Sequence, residues 1–313
     1  MQAEGGGALA DPTDHRRRRC ISSCRQRRSA NVIASDKTGT LTRNEMTVRV
    51  VVTASGRVNL SGTGYAPEGE IRRADGGDLG PAQRTEIERT LAVGDRANNA
   101  VLQERDGRWS VQGDPTEGAL LVAARKAGLT MDALDARFQR IGEVPFSSER
   151  KLMSTVHADA QQQERVLVFT KGAPDVLLAR CTRELVGDGV RPLDDARRRE
   201  IAAANEALAR EALRTLGVAA RGLPARAFDT DDVDEGLEQD LAFAGLVGMI
   251  DPPRAEAKEA VARAKAAGIR PLMITGDHPI TAAVIARELG IADDERAVTG
   301  AALERMTDDE RVR

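Results

Sequence analysis

The chain has 313 residues, enough for two domains of ordinary size, and its 41% hydrophobic and 30% charged residues are typical of a globular protein. Its net charge of −3 gives no general attraction to nucleic acid or acidic membrane surfaces, and its longest apolar run, Leu241–Ile250, reaches about half of the ~20 residues that a membrane helix needs. The three cysteines, Cys20, Cys24 and Cys181, are too few and odd in number for a disulfide framework, which indicates a reducing, cytoplasmic compartment.

Residues 1–30 combine a glycine run with a basic stretch that has no apolar periodicity. Most of the arginines in this stretch lie between Arg16 and Arg28. Charge runs of this kind are usually solvated, so we predict a disordered basic arm. The alternative is an arm that binds nucleic acid, which we do not favour.

The first ordered elements are predicted after residue 30. Asn31–Ser35 is a short apolar run typical of a buried parallel strand, and it places Asp36 at the carboxyl end of that strand, where open α/β sheets bind ligands. Thr47–Thr53 reads as a second strand, and the Gly-rich segment Gly56–Gly80 predicts a loop or hairpin. Thr85–Val93 has helical character.

The middle of the chain predicts a mixed α+β unit. Asp114, Pro115 and Glu117 occupy the N-cap, N1 and N3 positions of a helix that runs to Ala127. Two alternating runs predict antiparallel strands, and a long amphipathic helix precedes a further short strand. These four elements are expected at Lys151–His157, Arg165–Thr170, Arg197–Leu216 and Leu216–Arg221.

The last part of the chain alternates strand, helix, strand and helix, an order typical of a doubly wound parallel sheet. Together with the first strands, it predicts an α/β domain formed by residues 31–54 and 237–313, into which residues 55–236 are inserted. The four elements are expected at Leu241–Met249, Arg254–Ala267, Arg270–Thr275 and Ile280–Leu289.

The heptapeptide D-K-T-G-T-L-T at residues 36–42 has the chemistry of a phosphorylation site. An ionised carboxylate can attack phosphorus when a cation neutralises the incoming phosphate. Lys37 adds positive charge, while Thr38, Gly39 and Thr40 offer hydroxyl and backbone N–H groups in a tight turn that suits phosphoryl oxygens. We interpret Asp36 as a nucleophile that accepts the γ-phosphate of ATP as an aspartyl-phosphate.

This heptapeptide resembles the signature of the P-type ATPases, the membrane ion pumps of the haloacid-dehalogenase superfamily. Six further matches follow in the order of that family and cover the chain from about residue 31 to its end. The versions D-P-P-R and T-G-D-H resemble the cation-pump branch related to calcium pumps. The six matches are G-D-P-T-E-G-A-L-L at 113–121, P-F-S-S-E-R-K-L-M-S at 145–154, K-G-A-P-D at 171–175, L-R-T-L-G-V-A-A-R at 213–221, D-P-P-R at 251–254 and M-I-T-G-D-H at 273–278.

The resemblance implies a haloacid-dehalogenase-like, Rossmann-type phosphorylation domain, C-terminally truncated here, with an inserted α+β nucleotide-binding domain. It also implies that ATP is held by the inserted domain. An aromatic ring can stack on adenine, and basic side chains can meet the triphosphate. The residues implied for this role are Glu117, Phe146, Lys151, Lys171 and Arg221.

The resemblance implies a second group of residues around Asp36. Thr275 and Gly276 would hydrogen-bond the transferred phosphoryl group. Asp277 and Asp251 would shape the hinge and the ATP site, and Arg254 would belong with Asp277 to the nucleotide-binding residues. Lys37 and Thr38 accompany Asp36 in the catalytic group.

Two cofactors are implied, ATP and Mg²⁺. The Mg²⁺ ion would be bound by the carboxylate of Asp36 and the backbone carbonyl of Thr38, and oxygen ligands are those that Mg²⁺ prefers. No nucleic acid partner is expected. The intact pump of this family works at the cytoplasmic face of a membrane.

Two alternatives remain open at this point. A soluble phosphatase of the same superfamily needs a second aspartate two residues after the nucleophile as general acid and base, where this sequence has Thr38. A non-catalytic nucleotide-binding module is the other alternative, because the family's T-G-E-S and G-D-G-x-N-D motifs and its phosphate-site lysine are not found here. A partner chain that supplies them is an open possibility. A P-loop NTPase is excluded, since the dipeptide Gly-Lys does not occur.

Residues 1–28 carry arginines where the resemblance leads us to expect an apolar membrane helix and a short linker. The match to the family starts abruptly at residues 29–31. We therefore predict a frameshifted or truncated reading frame for residues 1–28.

Overall fold

The computed structural model describes residues 30–230, 233–277, 279–293 and 297–307. The basic arm predicted at residues 1–30 lies outside the described residues, except for residue 30. Within those four ranges, no helix has the length and apolarity that crossing a lipid bilayer requires.

The described part of the chain is a mixed α/β structure, and its elements are numbered here in chain order. The strands are β1 (Val32–Asp36), β2 (Thr47–Thr53), β3 (Gly56–Leu60), β4 (Ile71–Arg73), β5 (Val101–Arg105), β6 (Arg108–Gln112), β7 (Phe138–Ser147), β8 (Leu152–Asp159), β9 (Arg165–Gly172), β10 (Cys181–Val186), β11 (Gly189–Pro192), β12 (Arg214–Pro224), β13 (Leu241–Ile250) and β14 (Arg270–Ile274). The helices are α1 (Pro81–Arg96), α2 (Pro115–Lys126), α3 (Met131–Arg137), α4 (Pro174–Ala179), α5 (Asp195–Arg210), α6 (Ala255–Ala266), α7 (Pro279–Glu288) and α8 (Gly300–Arg305).

Ten of the described strands form one large mixed sheet. Its order is β4-β3-β2-β13-β12-β9-β8-β7, with β10 and β11 attached beside β13. The β10–β13 pair is parallel and the other neighbours are antiparallel. Helices α1 and α2 bury Leu91 and Leu120 on one face, while α4 and α5 bury Leu177 and Leu208 on the other. The sheet therefore has an apolar core on both faces.

A second sheet holds the strand that ends at Asp36. Strands β1 and β14 pair in parallel, as predicted for β1, and form a two-stranded sheet. The prediction that this strand is buried is wrong, since Val32 and Ile33 are about half exposed, and Ile274 on the neighbouring β14 is exposed as well. Among the described residues, Leu41, Ala257, Ile285 and Leu289 form a small core on the helix side of this sheet. An apolar run alone does not reveal how many neighbours pack on a strand.

The sheet to which β2 and β13 belong differs from the expectation. Both strands lie side by side in the large sheet, antiparallel to each other, and not beside β1 and β14. The chain therefore crosses from one sheet to the other within residues 36–47 and returns within residues 250–270. The predicted domain boundaries at residues 54 and 237 do not coincide with these crossings. The reason is that β13 is apolar on both faces, a pattern that suits a central strand with parallel or antiparallel neighbours equally well.

Local sequence patterns predicted several elements correctly. Asp114 caps α2 as predicted, because its side chain accepts hydrogen bonds from the backbone N–H groups of Thr116 and Glu117. The helix predicted to reach Leu216 is wrong at its end, because α5 stops at Arg210. Ala212 takes a φ of 60° and the Leu213 N–H donates to the Leu208 carbonyl at 3.1 Å. This helix stop normally uses glycine, so the sequence gives no signal for it.

Candidate functional site

The Asp36 turn, residues 36–42, follows β1 directly. Asp36 ends β1 and lies opposite Ile274, the last residue of β14. Gly39 has a φ of 75°, a left-handed conformation that glycine adopts without strain and that lets the chain reverse. The exposed Asp36 therefore stands at the carboxyl ends of two parallel strands, where open α/β sheets bind ligands.

Four other predicted site residues lie near Asp36. The ammonium group of Lys37 is nearly buried and forms an ion pair with the carboxylate of Asp277. The backbone N–H of Asp277 donates to Thr275 Oγ1 at 3.1 Å. At Gly276 no atom lies within 4 Å of the place a Cβ would take, which leaves room for a ligand to approach the backbone. Lys37 thus joins the turn to the end of β14, and its charge is compensated by Asp277.

The D-P-P-R segment fastens the Asp36 turn. Thr42 Oγ1 donates to Asp251 Oδ2 at 2.6 Å, and the Glu45 N–H donates to Asp251 Oδ1 at 3.3 Å. Arg254 donates from Nε to the Thr42 carbonyl at 2.9 Å and from Nη2 to the Gly39 carbonyl at 3.2 Å. Asp251 and Arg254, which the resemblance linked to the hinge and the ATP site, therefore hold the shape of this turn.

The oxygen donors near Asp36 fit a solvated divalent cation. Among the described residues, no group of three or more His, Cys, Asp and Glu side chains could enclose a metal ion. Asp36 and Thr38 are both exposed, so a carboxylate and a backbone carbonyl are available. Mg²⁺ usually keeps several waters and binds one or two carboxylates plus substrate phosphates. The donor set therefore suits Mg²⁺ that arrives with a phosphate ligand.

A second group centres on Lys171, near the end of β9. Lys171 Nζ lies 2.5 Å from Oε1 of Glu117, which belongs to the first turn of α2, and the Lys171 side chain is only 9% exposed. Burial lowers the pKa of Lys171, while the carboxylate of Glu117 acts in the opposite direction. A nearly buried lysine whose pKa is shifted by burial and by the carboxylates of Glu117 and Asp114 is a candidate functional residue.

A network of polar side chains continues this group along β7. Asn99 donates its backbone N–H to Glu117 Oε2 at 3.1 Å and its side-chain Nδ2 to Glu143 Oε1 at 2.9 Å. Arg140 donates to Asn99 Oδ1 at 2.8 Å and pairs with Glu143 at 2.7 Å. We call these residues and Lys171 the Lys171 cluster. Sequence reasoning missed Asn99, Arg140 and Glu143, for which the Asn-Asn dipeptide after α1 is the one available signal.

Phe146 and Lys151 lie at the same end of the sheet as Lys171. Ser147 pairs with Leu152, which pairs with Gly172, so the turn between β7 and β8 stands beside the end of β9. The Phe146 residue is 63% exposed, an unusual state for a phenylalanine and one that leaves its ring free to stack. Lys151 has a φ of 55°, and its carbonyl accepts the Ala173 N–H at 3.0 Å.

Arg221 is not brought to the Lys171 cluster. The register pairs Lys171 with Val218 and Arg221 with Val168, without a shift between them. Because side chains alternate along a strand, positions three residues apart point to opposite faces of the sheet. Lys171 and Arg221 therefore lie on different faces, which the spacing of the sequence motifs did not indicate.

Tyr65, the single tyrosine of the chain, was not singled out by sequence reasoning. Burial and the nearby carboxylates of Glu45, Asp251 and Asp114 raise the pKa of Tyr65 to about 12. Asp251 supports the Asp36 turn, and Asp114 caps the helix that carries Glu117. Tyr65 therefore lies near Glu45, Asp251 and Asp114.

The chain is similar to known proteins over most of its length. Residues 86–256, more than half of the chain, match the family model described as P-type ATPase, cytoplasmic domain N. The chain is 41% identical over 277 residues to a probable cation-transporting ATPase F of Mycobacterium tuberculosis, covering 88% of this chain and 30% of that protein. It is 40% identical over 260 residues to a calcium-transporting ATPase of Bacillus subtilis, covering 83% of this chain and 28% of that protein.

A third relative, calcium-transporting ATPase 1 of Bacillus cereus, is 40% identical over 284 residues, covering 90% of this chain and 29% of that protein. The chain thus spans about three tenths of the length of these curated relatives. The matched region, residues 86–256, contains Glu117, Phe146, Lys151 and Lys171. The chain belongs to the P-type ATPase family, and its residues 86–256 correspond to the cytoplasmic domain N of that family.

Proposed function

We propose that this chain binds ATP at the Lys171 cluster and transfers its γ-phosphate to Asp36, as the catalytic part of a cation-transporting P-type ATPase. The observation that carries the proposal is the nearly buried Lys171–Glu117 pair at the sheet end that also presents the exposed Phe146 ring. A free aromatic face and a buried cation are the two features that a nucleotide needs, one for its base and one for its charge. The relatives named for calcium and cation transport favour a cation as the transported ion.

Within this proposal, Phe146 stacks on the base, and Lys171 and Lys151 meet the charge of the nucleotide. When ATP binds, Lys171 and Glu117 give up part of their contact with each other and contact the ligand instead. The γ-phosphate must then travel to Asp36, which requires closure of the two parts of the chain around the nucleotide. The crossings next to residues 36–47 and 250–270 are the segments about which such closure would occur.

At Asp36, a carboxylate oxygen forms a bond to the γ-phosphorus as the bond from phosphorus to the β-phosphate oxygen breaks, and ADP leaves with that electron pair. Mg²⁺, held by the Asp36 carboxylate and the Thr38 carbonyl, would supply positive charge for the phosphate oxygens. Thr275 and Gly276 would hydrogen-bond the transferred group. Thr38 offers no carboxylate to activate water, which favours a lasting phospho-enzyme over a phosphatase reaction.

We assign β1, β14, α6 and α7 to a haloacid-dehalogenase-like phosphorylation part, and the segment from β2 to β13 to the inserted nucleotide-binding part. Both would lie on the cytoplasmic side of the membrane in an intact pump. A second candidate function, nucleotide binding without phosphate transfer, is favoured by one observation. The described sheet at Asp36 has two strands with exposed apolar residues such as Ile274, a thin support for a catalytic carboxylate.

The test combines two measurements on the full chain. Calorimetric titration with ATP and Mg²⁺ compares wild type with Lys171→Ala, and incubation with γ-labelled ATP compares wild type with Asp36→Asn. Binding that Lys171→Ala weakens, together with label that Asp36→Asn abolishes, supports phosphate transfer. Binding without label supports the second candidate. A wild-type chain that does not bind ATP would refute both.

A further inference from the structure

Phe146 lies at a break in its own strand. The pairing of β7 with β8 shifts register between Val144 and Ser147, so residues 145 and 146 lack regular ladder partners. Ladder hydrogen bonds therefore do not fix the backbone that carries the exposed Phe146 ring. Some other contact must hold this segment in one conformation.

Arg150 provides that contact. Its Nη2 donates to the carbonyl of Pro145, the residue before Phe146, at 2.5 Å. Its Nη1 donates to both carboxylate oxygens of Glu238, at 2.7 and 2.6 Å, and its Nε lies 2.9 Å from Oε1 of Glu235 in a further ion pair. One guanidinium thus joins the Phe146 segment to the turn that precedes β13.

Glu238 is a buried acid that the proposed mechanism does not use. Its side chain is completely buried, although glutamate rarely is unless paired. Besides its bonds with Arg150, Glu238 accepts a hydrogen bond from Ser154 Oγ at 2.9 Å. Ser154 Oγ is also hydrogen-bonded to Thr170 Oγ1, at 2.9 Å. Strands β8 and β9 therefore hold Glu238 in place from the face opposite Lys171.

We propose that Arg150 and Glu238 are positioning residues for nucleotide binding: they fix the Pro145–Phe146 backbone so that the ring is already placed to stack on the base. The inference rests on the proposed ATP binding and adds residues to it. A side chain that is ordered before binding loses less conformational freedom when the ligand arrives, so pre-organisation raises affinity without contacting the ligand. Neither Arg150 nor Glu238 needs to touch ATP.

The test uses Glu238→Gln, which keeps the shape and removes the charge. We expect ATP affinity to fall about tenfold by calorimetric titration, equivalent to ~1.4 kcal/mol. In a Phe146→Ala background, the same substitution should change the affinity less than about twofold, because the ring that it positions is gone. Thermal melting of all variants is recorded in parallel, since a stability loss is expected in both backgrounds.

The control is Glu211→Gln, which breaks the ion pair with Arg57 at 2.7 Å on another part of the sheet and should leave ATP affinity unchanged. If Glu238→Gln does not fold, Arg150→Lys carries the same test, because lysine keeps the charge and loses the fork that reaches Pro145. Equal affinity losses in both backgrounds, or no loss in either, would overturn the inference while ATP binding by wild type stands. A wild type that fails to bind ATP overturns the proposed function as well.

Discussion

Lys171 and Glu117 form a nearly buried ion pair across two elements, with Nζ 2.5 Å from Oε1 between the end of β9 and the first turn of α2. Neither charge could be buried alone at low cost, so each element requires the other for its position. A negatively charged ligand could take the place of Glu117 as the partner of Lys171. The pair therefore connects the stability of this part of the sheet with its binding capacity.

Lys171→Met should weaken ATP binding more than tenfold and also lower the free energy of unfolding by about 2 kcal/mol, because the carboxylate of Glu117 loses its partner. Titration calorimetry and urea unfolding measure the two effects. Adding Glu117→Gln should restore most of the stability, since no unpaired charge remains. The double variant should still bind ATP poorly, and recovery of binding would contradict the role of Lys171.

His157 should make folding stability depend on pH. Burial lowers the pKa of His157 from 6.5 to about 4, and its Nδ1 donates to the Phe138 carbonyl at 3.2 Å. Between these two values the unfolded chain binds more protons than the folded chain, so stability is fully present above about 6.5 and is lost as the pH falls toward about 4. The loss can reach roughly 3 kcal/mol.

Urea unfolding of wild type and His157→Gln from about pH 4 to about pH 8 checks this prediction. The free energy of unfolding of wild type should rise with pH more steeply than that of the variant. The difference in slope should correspond to at most one bound proton, and the two slopes should agree above about pH 7. Parallel curves across the whole range would show that His157 is not the responsible group.

Gly172→Ala should destabilise the chain by roughly 1–3 kcal/mol and weaken ATP binding. A Cβ at this position would lie 2.2 Å from the carbonyl oxygen of Lys151, so the turn that carries Lys151 must move. Urea unfolding and ATP titration measure both effects. Gly300→Ala is the matched control, because no atom lies within 4 Å of its added Cβ, and it should be nearly neutral.

Asp251→Asn should slow phosphorylation of Asp36 and leave ATP affinity unchanged. The two carboxylate oxygens of Asp251 accept hydrogen bonds from Thr42 Oγ1 and from the Glu45 N–H. The substitution replaces one of these oxygens by an NH₂ group, which removes one hydrogen bond and loosens the Asp36 turn. Transfer of γ-labelled phosphate and ATP titration separate the two properties. The exposed Asp75→Asn serves as the control, and a parallel drop in affinity would place Asp251 at the nucleotide instead.

Local rules recovered much of the fold from the sequence. The N-cap at Asp114 follows from capping preferences and strand β2 from its β-branched residues, and both act over a few residues. The neighbours of β13 could not be predicted, because a strand with two apolar faces has no preferred sheet. The exposure of β1 depends on distant packing and not on its own residues.

The motifs named the candidate site residues but not their arrangement. The structure pairs Lys171 with Glu117 and places the turn after Phe146 at the same sheet end, while their role in binding ATP stays a prediction. The face on which Arg221 lies depends on the register of β9 and β12, which no motif encodes. The roles of Arg150 and Glu238 depend on a contact between residues 88 positions apart.

The pairing of Lys37 with Asp277 has a consequence for how ATP reaches Asp36. The lysine of the D-K-T-G-T-L-T motif is already paired with Asp277, so, like Lys171 with Glu117, it can attract an approaching triphosphate only by giving up part of that pairing. The carboxylate of Asp36 would then repel free ATP⁴⁻. We therefore expect the reaction to accept the metal–nucleotide complex and to reject the bare nucleotide, so that chelation of Mg²⁺ should stop labelling of Asp36 even when ATP is saturating.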